Sequence, residues 1–178
     1  MVQARNEDLL NKRVASDHLP FVHPGIDFLA PEFRGERNSK AFLVLACVTQ
    51  GVFDAWTRPS ALAKWWAPPG GRCVTASIDL RLGGRYSIVN ELPDGVIVTI
   101  RGEYLTIEPP TLLRFTWATD ASQSATETVT VTCDADGHDT KVTIVHTRLP
   151  SQEAAEAHKA GWDSCLIGLA RFLGPNQE

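Results

Sequence analysis

Two histidines and a set of aromatic residues sit at spacings that could support chemistry. His146 falls in TKVTIVHT in step with Val142 and Ile144. Alternate strand residues share a face, so its imidazole is expected to point with apolar neighbours into the interior. His158 and Trp162 are four apart in a helical pattern, which puts an imidazole and an indole on one helix face. An inward imidazole could hydrogen-bond a ligand or pass a proton near neutral pH. The plainer reading is a core histidine satisfied by one backbone or hydroxyl partner. Phe115 and Trp117 share a strand parity with Leu113, and Tyr86 lies in the strand-like run GRYSIVNEL. Trp65 and Trp66 close the run PSALAKWW. Helix neighbours diverge by about 100°, so one ring is expected in the core and the other, Trp66, at the mouth of an interior space; packing alone is the plainer reading.

Other pairings carry less. Asp79 and Arg81 bracket the turn before Gly83 and Gly84 and are expected to pair at a sheet edge, with the glycines supplying a positive φ. Arg101 and Glu103 alternate with Ile100, Gly102 and Tyr104, but Ile97 and Leu105 lie in step with the charges, so parity leaves open which face is inward. An exposed Arg101 is preferred, because an unpaired buried charge is prohibitive. His18 and His23 are five apart in an irregular stretch and make no convincing metal pair. There is no GxSxG, HExxH or phosphate-binding loop, and Gly83-Gly84 precedes a strand rather than a helix. No catalytic residue is identified, no carboxylate partner for a histidine stands out, and no metal or cofactor is expected. Cys47, Cys73, Cys133 and Cys165 are far apart with no CxxC, as expected of buried reduced thiols.

The elements that must position these groups follow from the pattern. AFLVLACV (41–48) reads as a strand, followed by two short helices over 50–56 and 59–66 with Thr49 and Thr57 as caps and Pro59 near the second start. Strands are expected over 73–80, with Val74, Ala76, Ile78 and Leu80 on one face, and over 84–92, 95–107, 112–120, 127–134 and 140–147. Short turns join most of them, which favours antiparallel pairing. Ser151 caps a long helix whose stripe is His158, Trp162, Cys165, Leu166, Leu169, Phe172 and Leu173, ended by Gly174 and Pro175. The fold class is α+β, a curved seven-stranded antiparallel sheet gripping a long C-terminal helix, with an apolar cavity between them. Residues 41–174 form this domain. Residues 1–40 form an irregular extension with a short helix through about Val14 and with Phe21, Phe28 and Phe33 as anchors, and residues 175–178 form a tail.

Composition narrows the partners. The chain has 178 residues and a net charge of −4, a poor match to nucleic acid. No apolar run approaches the roughly 20 residues of a membrane span. The start MVQARNEDLL lacks the apolar core of a secretory signal, so a cytoplasmic location is expected.

VFDAWTRPSALAKWWAPPG (52–70), SIDLRLGGRY (77–86), GEYLTIEPPTLLRFTW (102–117) and the segment from Thr140 to Leu173 together resemble the family of homologues of the activator of heat-shock-protein ATPase. That family belongs to the START-like, polyketide-cyclase-like superfamily with the helix-grip fold. The resemblance implies a pocket between sheet and long helix that binds or sequesters a small hydrophobic or aromatic molecule. Combined with the parities above, the expected liners are Trp66, Tyr86, Phe115, Trp117, His146, His158 and Trp162. The superfamily also implies two alternatives: a cyclase-, dehydratase- or hydrolase-like enzyme using a pocket histidine, and a chaperone-interacting module. A homodimer and a protein partner stay open.

Overall fold

Seven strands and three helices follow one another along the chain: β1 (Ser39–Leu45), α1 (Thr49–Thr57), α2 (Pro59–Trp65), β2 (Arg72–Ile78), β3 (Arg85–Glu91), β4 (Ile97–Glu108), β5 (Leu112–Thr119), β6 (Glu127–Asp136), β7 (Asp139–Thr147) and α3 (Gln152–Leu173). The computed structural model describes residues 37–120 and 127–174. The expectations for the helix through Val14, for Phe21, Phe28, Phe33, His18 and His23, and for Pro175 lie outside those residues.

The strands form one curled antiparallel sheet in the order β1-β7-β6-β5-β4-β3-β2. Consecutive strands pair with one another from β2 to β7. Only β1 breaks the sequence, by pairing with β7 at the far edge. The two short helices therefore carry the chain from one sheet edge to the other. The helix-grip architecture expected from the sequence is the one observed.

Local departures have local causes. Neither threonine cap forms. Val48 is the N-cap of α1, with Thr49 already helical, and Arg58 is the N-cap of α2; neither residue makes a side-chain capping bond. Thr57 sits in the last turn of α1, and its hydroxyl donates back to Phe53 O at 2.8 Å. In β2 the ladder skips Val74, pairing Cys73 with Asn90 and Thr75 with Val89. A bulge adds one residue and so inverts parity beyond it. Val74 is consequently 46% exposed, while Cys73, Ala76 and Ile78 turn toward the core; Leu80 is exposed beyond the strand end. The register of β4 resolves Arg101 and Glu103: both are exposed opposite buried Ile100 and Tyr104, and Arg101 pairs with Asp120. Arg81 pairs with Asp79 at 2.8 Å, and of the two glycines beside it only Gly83 has a positive φ, +72°.

Ser151 does cap α3, its hydroxyl accepting from Ala154 N at 3.0 Å. Trp162, Cys165, Leu166 and Leu169 are the buried core of its stripe. Among the described residues no helix is long and apolar enough to cross a membrane. The four thiols are free. Cys133 and Cys165 are buried, with burial pushing each up to about 12, while Cys47 and Cys73 are only half-buried.

The helices do not cover the sheet evenly. α3 packs closely on β1 and α2 on β2, and α1 lies nearer β6 and β7. Over β3, β4 and β5 large aromatic side chains bridge the gap that helix backbone leaves. That space is where the site lies.

Candidate functional site

On the floor of the space, Tyr86, Tyr104 and Phe115 project from adjacent strands. Gly102 makes this arrangement fit. A Cβ there would lie 1.9 Å from Thr116 O and 2.6 Å from the Tyr86 ring. With none present, Tyr86 lies across β4 and donates its hydroxyl to Thr116 O at 2.8 Å. Tyr86 and Phe115 meet edge to face with centroids 5.2 Å apart, and Tyr104 lies 6.0 Å from Phe115. Burial pushes both phenols above the usual range, so both are neutral.

Trp56, Leu62 and Trp66 form the roof. These residues, with Ile78, Tyr86, Tyr104, Leu113 and Phe115, line a pocket of about 20 Å³. That is room for one water, well short of the roughly 150 Å³ known to hold benzene. In this conformation the protein's own rings occupy most of the cavity expected from the sequence. Trp66 is central: it lies 6.1 Å from Trp117 and 5.4 Å from Trp162, ring centre to ring centre. It has left α2 and is extended there, which is how adjacent Trp65 and Trp66 both become buried. Trp65 donates its indole N–H to Ala55 O at 3.0 Å. The buried indole nitrogens of Trp56 and Trp117 have no acceptor among the described residues.

Beyond Trp117 the interior turns polar. His146 is fully buried. Trp162 Nε1 donates to its Nδ1 at 3.4 Å, and its Nε2 lies 3.1 Å from Glu127 Oε2. An indole nitrogen can only donate, so Nδ1 must be bare and Nε2 carries the proton that Glu127 accepts. The imidazole is therefore neutral. Burial away from water also lowers the His146 pKa, against the opposing pull of Glu127. His158 lies tilted beside it with ring centres 4.4 Å apart and places Nε2 3.9 Å from Glu127 Oε2. Its side chain is 27% exposed, so this imidazole reaches solvent. Burial, then neighbouring His146, lower its pKa to about 4 against the pull of Glu127.

Glu127, His146 and His158 each offer a ligand atom within 4.8 Å of one another, a spacing a cation could bridge. The donor chemistry does not fit. A metal on His146 Nε2 would move the imidazole proton to Nδ1, against the N–H of Trp162, whereas metal-bound histidines point that second N–H at an acceptor.

All seven residues singled out in the sequence thus meet in one interior: Trp66, Tyr86 and Phe115 at the pocket, and Trp117, His146, His158 and Trp162 around the polar cluster. Sequence reasoning missed Glu127, Trp56 and Tyr104. Glu127 was visible in principle, since it shares strand parity with Val129, Val131 and Cys133, all buried. Its carboxyl group supplies the partner that the sequence seemed to lack.

The sequence pattern of the family described as Activator of Hsp90 ATPase homolog 1-like protein matches residues 47–174. Among curated proteins, none matches this chain. Solved structures similar to it include a protein from Chromobacterium violaceum, 26% identical, with a TM-score of 0.69 over 79% of this chain and 99% of that one. An AHSA1 protein from Silicibacter pomeroyi is 23% identical, with a TM-score of 0.65 over 75% and 94% of the two chains. CalU16 from Micromonospora echinospora is 21% identical, with a TM-score of 0.62 over 79% and 78%.

Proposed function

The chain belongs to the Activator of Hsp90 ATPase homolog 1-like family, and from that premise we propose that it binds a small hydrophobic or aromatic molecule between the sheet and the C-terminal helix. One observation carries this reading: over β3 to β5 the interior is closed by aromatic side chains, not by helix backbone. Side chains can rotate aside where a packed helix cannot. The unpartnered indole N–H groups of Trp56 and Trp117 add to it, since a buried donor left unmade costs about 1–3 kcal/mol.

Magnitudes set the affinity. A guest burying roughly 300 Å² of apolar surface gains about 7–8 kcal/mol at about 25 cal/mol per Å². Association costs of roughly 4 kcal/mol leave a millimolar binder, weaker still once rings must move. Selective binding therefore requires polar contacts. Five buried tryptophans report on the interior. Titration with small aromatics and with lipid-like molecules is expected to change their fluorescence saturably for at least one class; a flat response across both removes the reading.

The Glu127–His146 contact favours a second reading, proton-transfer chemistry of the cyclase, dehydratase or hydrolase kind in the same interior. Both nitrogens of His146 are engaged, so the proton-exchanging imidazole in that case is His158.

A further inference from the structure

We propose that the polar end of the interior recognises a hydroxyl on the guest, with Glu127 accepting its hydrogen bond, so that the ligand class is a neutral phenol of one or two rings. This inference rests on the guest reading above and names its chemistry.

Stability does not explain Glu127. A buried charged or polar pair is seldom better than a well-packed apolar one, so its presence in an aromatic interior calls for another use. His146 has no capacity left for a ligand: one nitrogen serves Glu127 and the other Trp162. It is a positioning residue that holds the Glu127 carboxyl group inward.

The sheet supplies the reach. Trp117 stands directly across the β5–β6 pair from Glu127, and Phe115, a wall of the small pocket, is the next inward residue along β5. Successive residues on one strand face are about 6–7 Å apart, roughly the length of a substituted benzene ring. Glu127 lies one strand further over, about 5 Å to the side, so a diagonal of roughly 8 Å links Phe115 to Glu127, and a ring seated against Phe115 with a hydroxyl at its far end is directed past Trp117 toward Glu127.

A hydroxyl matches both demands of that end. It donates to Glu127, and its oxygen is an acceptor for the indole N–H of Trp117, which is buried without one. An ether oxygen only accepts. A phenolate only accepts too, and it would bring a desolvated negative charge to a site already holding a carboxyl group, so the neutral form is selected.

The test uses the full chain near neutral pH and the indole N–H resonances of its five tryptophans. The probes are 4-ethylphenol, 4-ethylanisole and ethylbenzene; the ether carries one more methyl group, so apolar burial alone favours it over the phenol by about fourfold, or about 0.8 kcal/mol. The phenol is expected to bind about tenfold more tightly than its methyl ether, and Glu127→Gln to shrink that ratio below about twofold. Equal affinity of all three probes overturns the hydroxyl subsite and leaves the guest reading standing. No saturable shift with any probe overturns the guest reading itself. A tenfold preference that survives Glu127→Gln removes Glu127 from the role. The comparison of probes on the unaltered chain stands even if that variant does not fold.

Discussion

Around Phe115, the contacts of Tyr86 and Tyr104 are ring against ring, as are those of Trp66 with its neighbouring tryptophans, with little that depends on the direction of a bond; around His146, each nitrogen has one partner of one polarity. The first set can accept a changed ring arrangement without leaving a polar group unmatched, because dispersion contacts are individually small and have no donor or acceptor sense. The second cannot, because exchanging donor for acceptor at either nitrogen leaves a buried group unsatisfied. One end of the interior is thus suited to making room and the other to discriminating. With a pocket of about 20 Å³, the proposed guest requires the aromatic end to open.

The largest effect that can test this division is Trp66→Ala. Removing a buried indole is expected to cost about 3–5 kcal/mol and to leave a cavity at the aromatic end. Free indole at millimolar concentration should then raise the melting temperature of the variant while leaving that of the parent chain nearly unchanged. If indole stabilises both equally, or neither, the aromatic end is not replaceable volume and the contrast between the two ends fails.

The next effect is a pH dependence confined to the polar end. His158 faces Glu127 on β6 and His146 on β7, and its pKa falls from 6.5 to about 4 on folding. Above 6.5 it is neutral in both states and contributes no difference. As pH drops, the unfolded chain takes up a proton that the folded chain refuses, so stability declines between pH 6.5 and about 4 and levels off below. Such a shift corresponds to up to about 3 kcal/mol. Urea denaturation across that range should show the decline, and His158→Gln should make it shallower, with the part due to buried His146, whose pKa burial also lowers, remaining. A parent profile that is level from pH 7 to 5 would mean that solvent reaches this imidazole freely.

Much of this interior was legible in the sequence, for specific reasons. Leu113, Phe115 and Trp117 alternate without interruption, and β5 buries all three. The α3 stripe and the Ser151 cap are equally local signals, and they appear as read. What failed was non-local. The face of β2 changed because a bulge at Val74 depends on its pairing with β3, which spacing within one strand cannot reveal. Thr49 and Thr57 have the right chemistry for caps, but α1 begins a residue early and Thr57 is drawn into its last turn. Glu127 escaped because a carboxyl group at a strand start looks like a surface residue until its apolar parity mates are weighed. The small pocket volume was the least legible feature, since filling depends on how five indoles fit together in three dimensions.

The smallest effect is the most discriminating. Tyr86 belongs to the aromatic end, yet it carries a hydroxyl that donates to Thr116 O. Tyr86→Phe keeps the ring, its edge-to-face contact with Phe115 and the space that Gly102 leaves for it. It removes one hydrogen bond, worth about 1 kcal/mol, or a melting-temperature drop of about 2–4 °C in a chain of this size. Because that hydroxyl is already committed to the backbone, the affinity for 4-ethylphenol should stay within about twofold of the parent, whereas Glu127→Gln should weaken it about tenfold. The opposite pattern, with phenol binding lost in Tyr86→Phe and kept in Glu127→Gln, would place recognition at the aromatic end. Directional contacts would then have to form there as the rings part, and the polar cluster would be left as a structural brace between β6, β7 and α3.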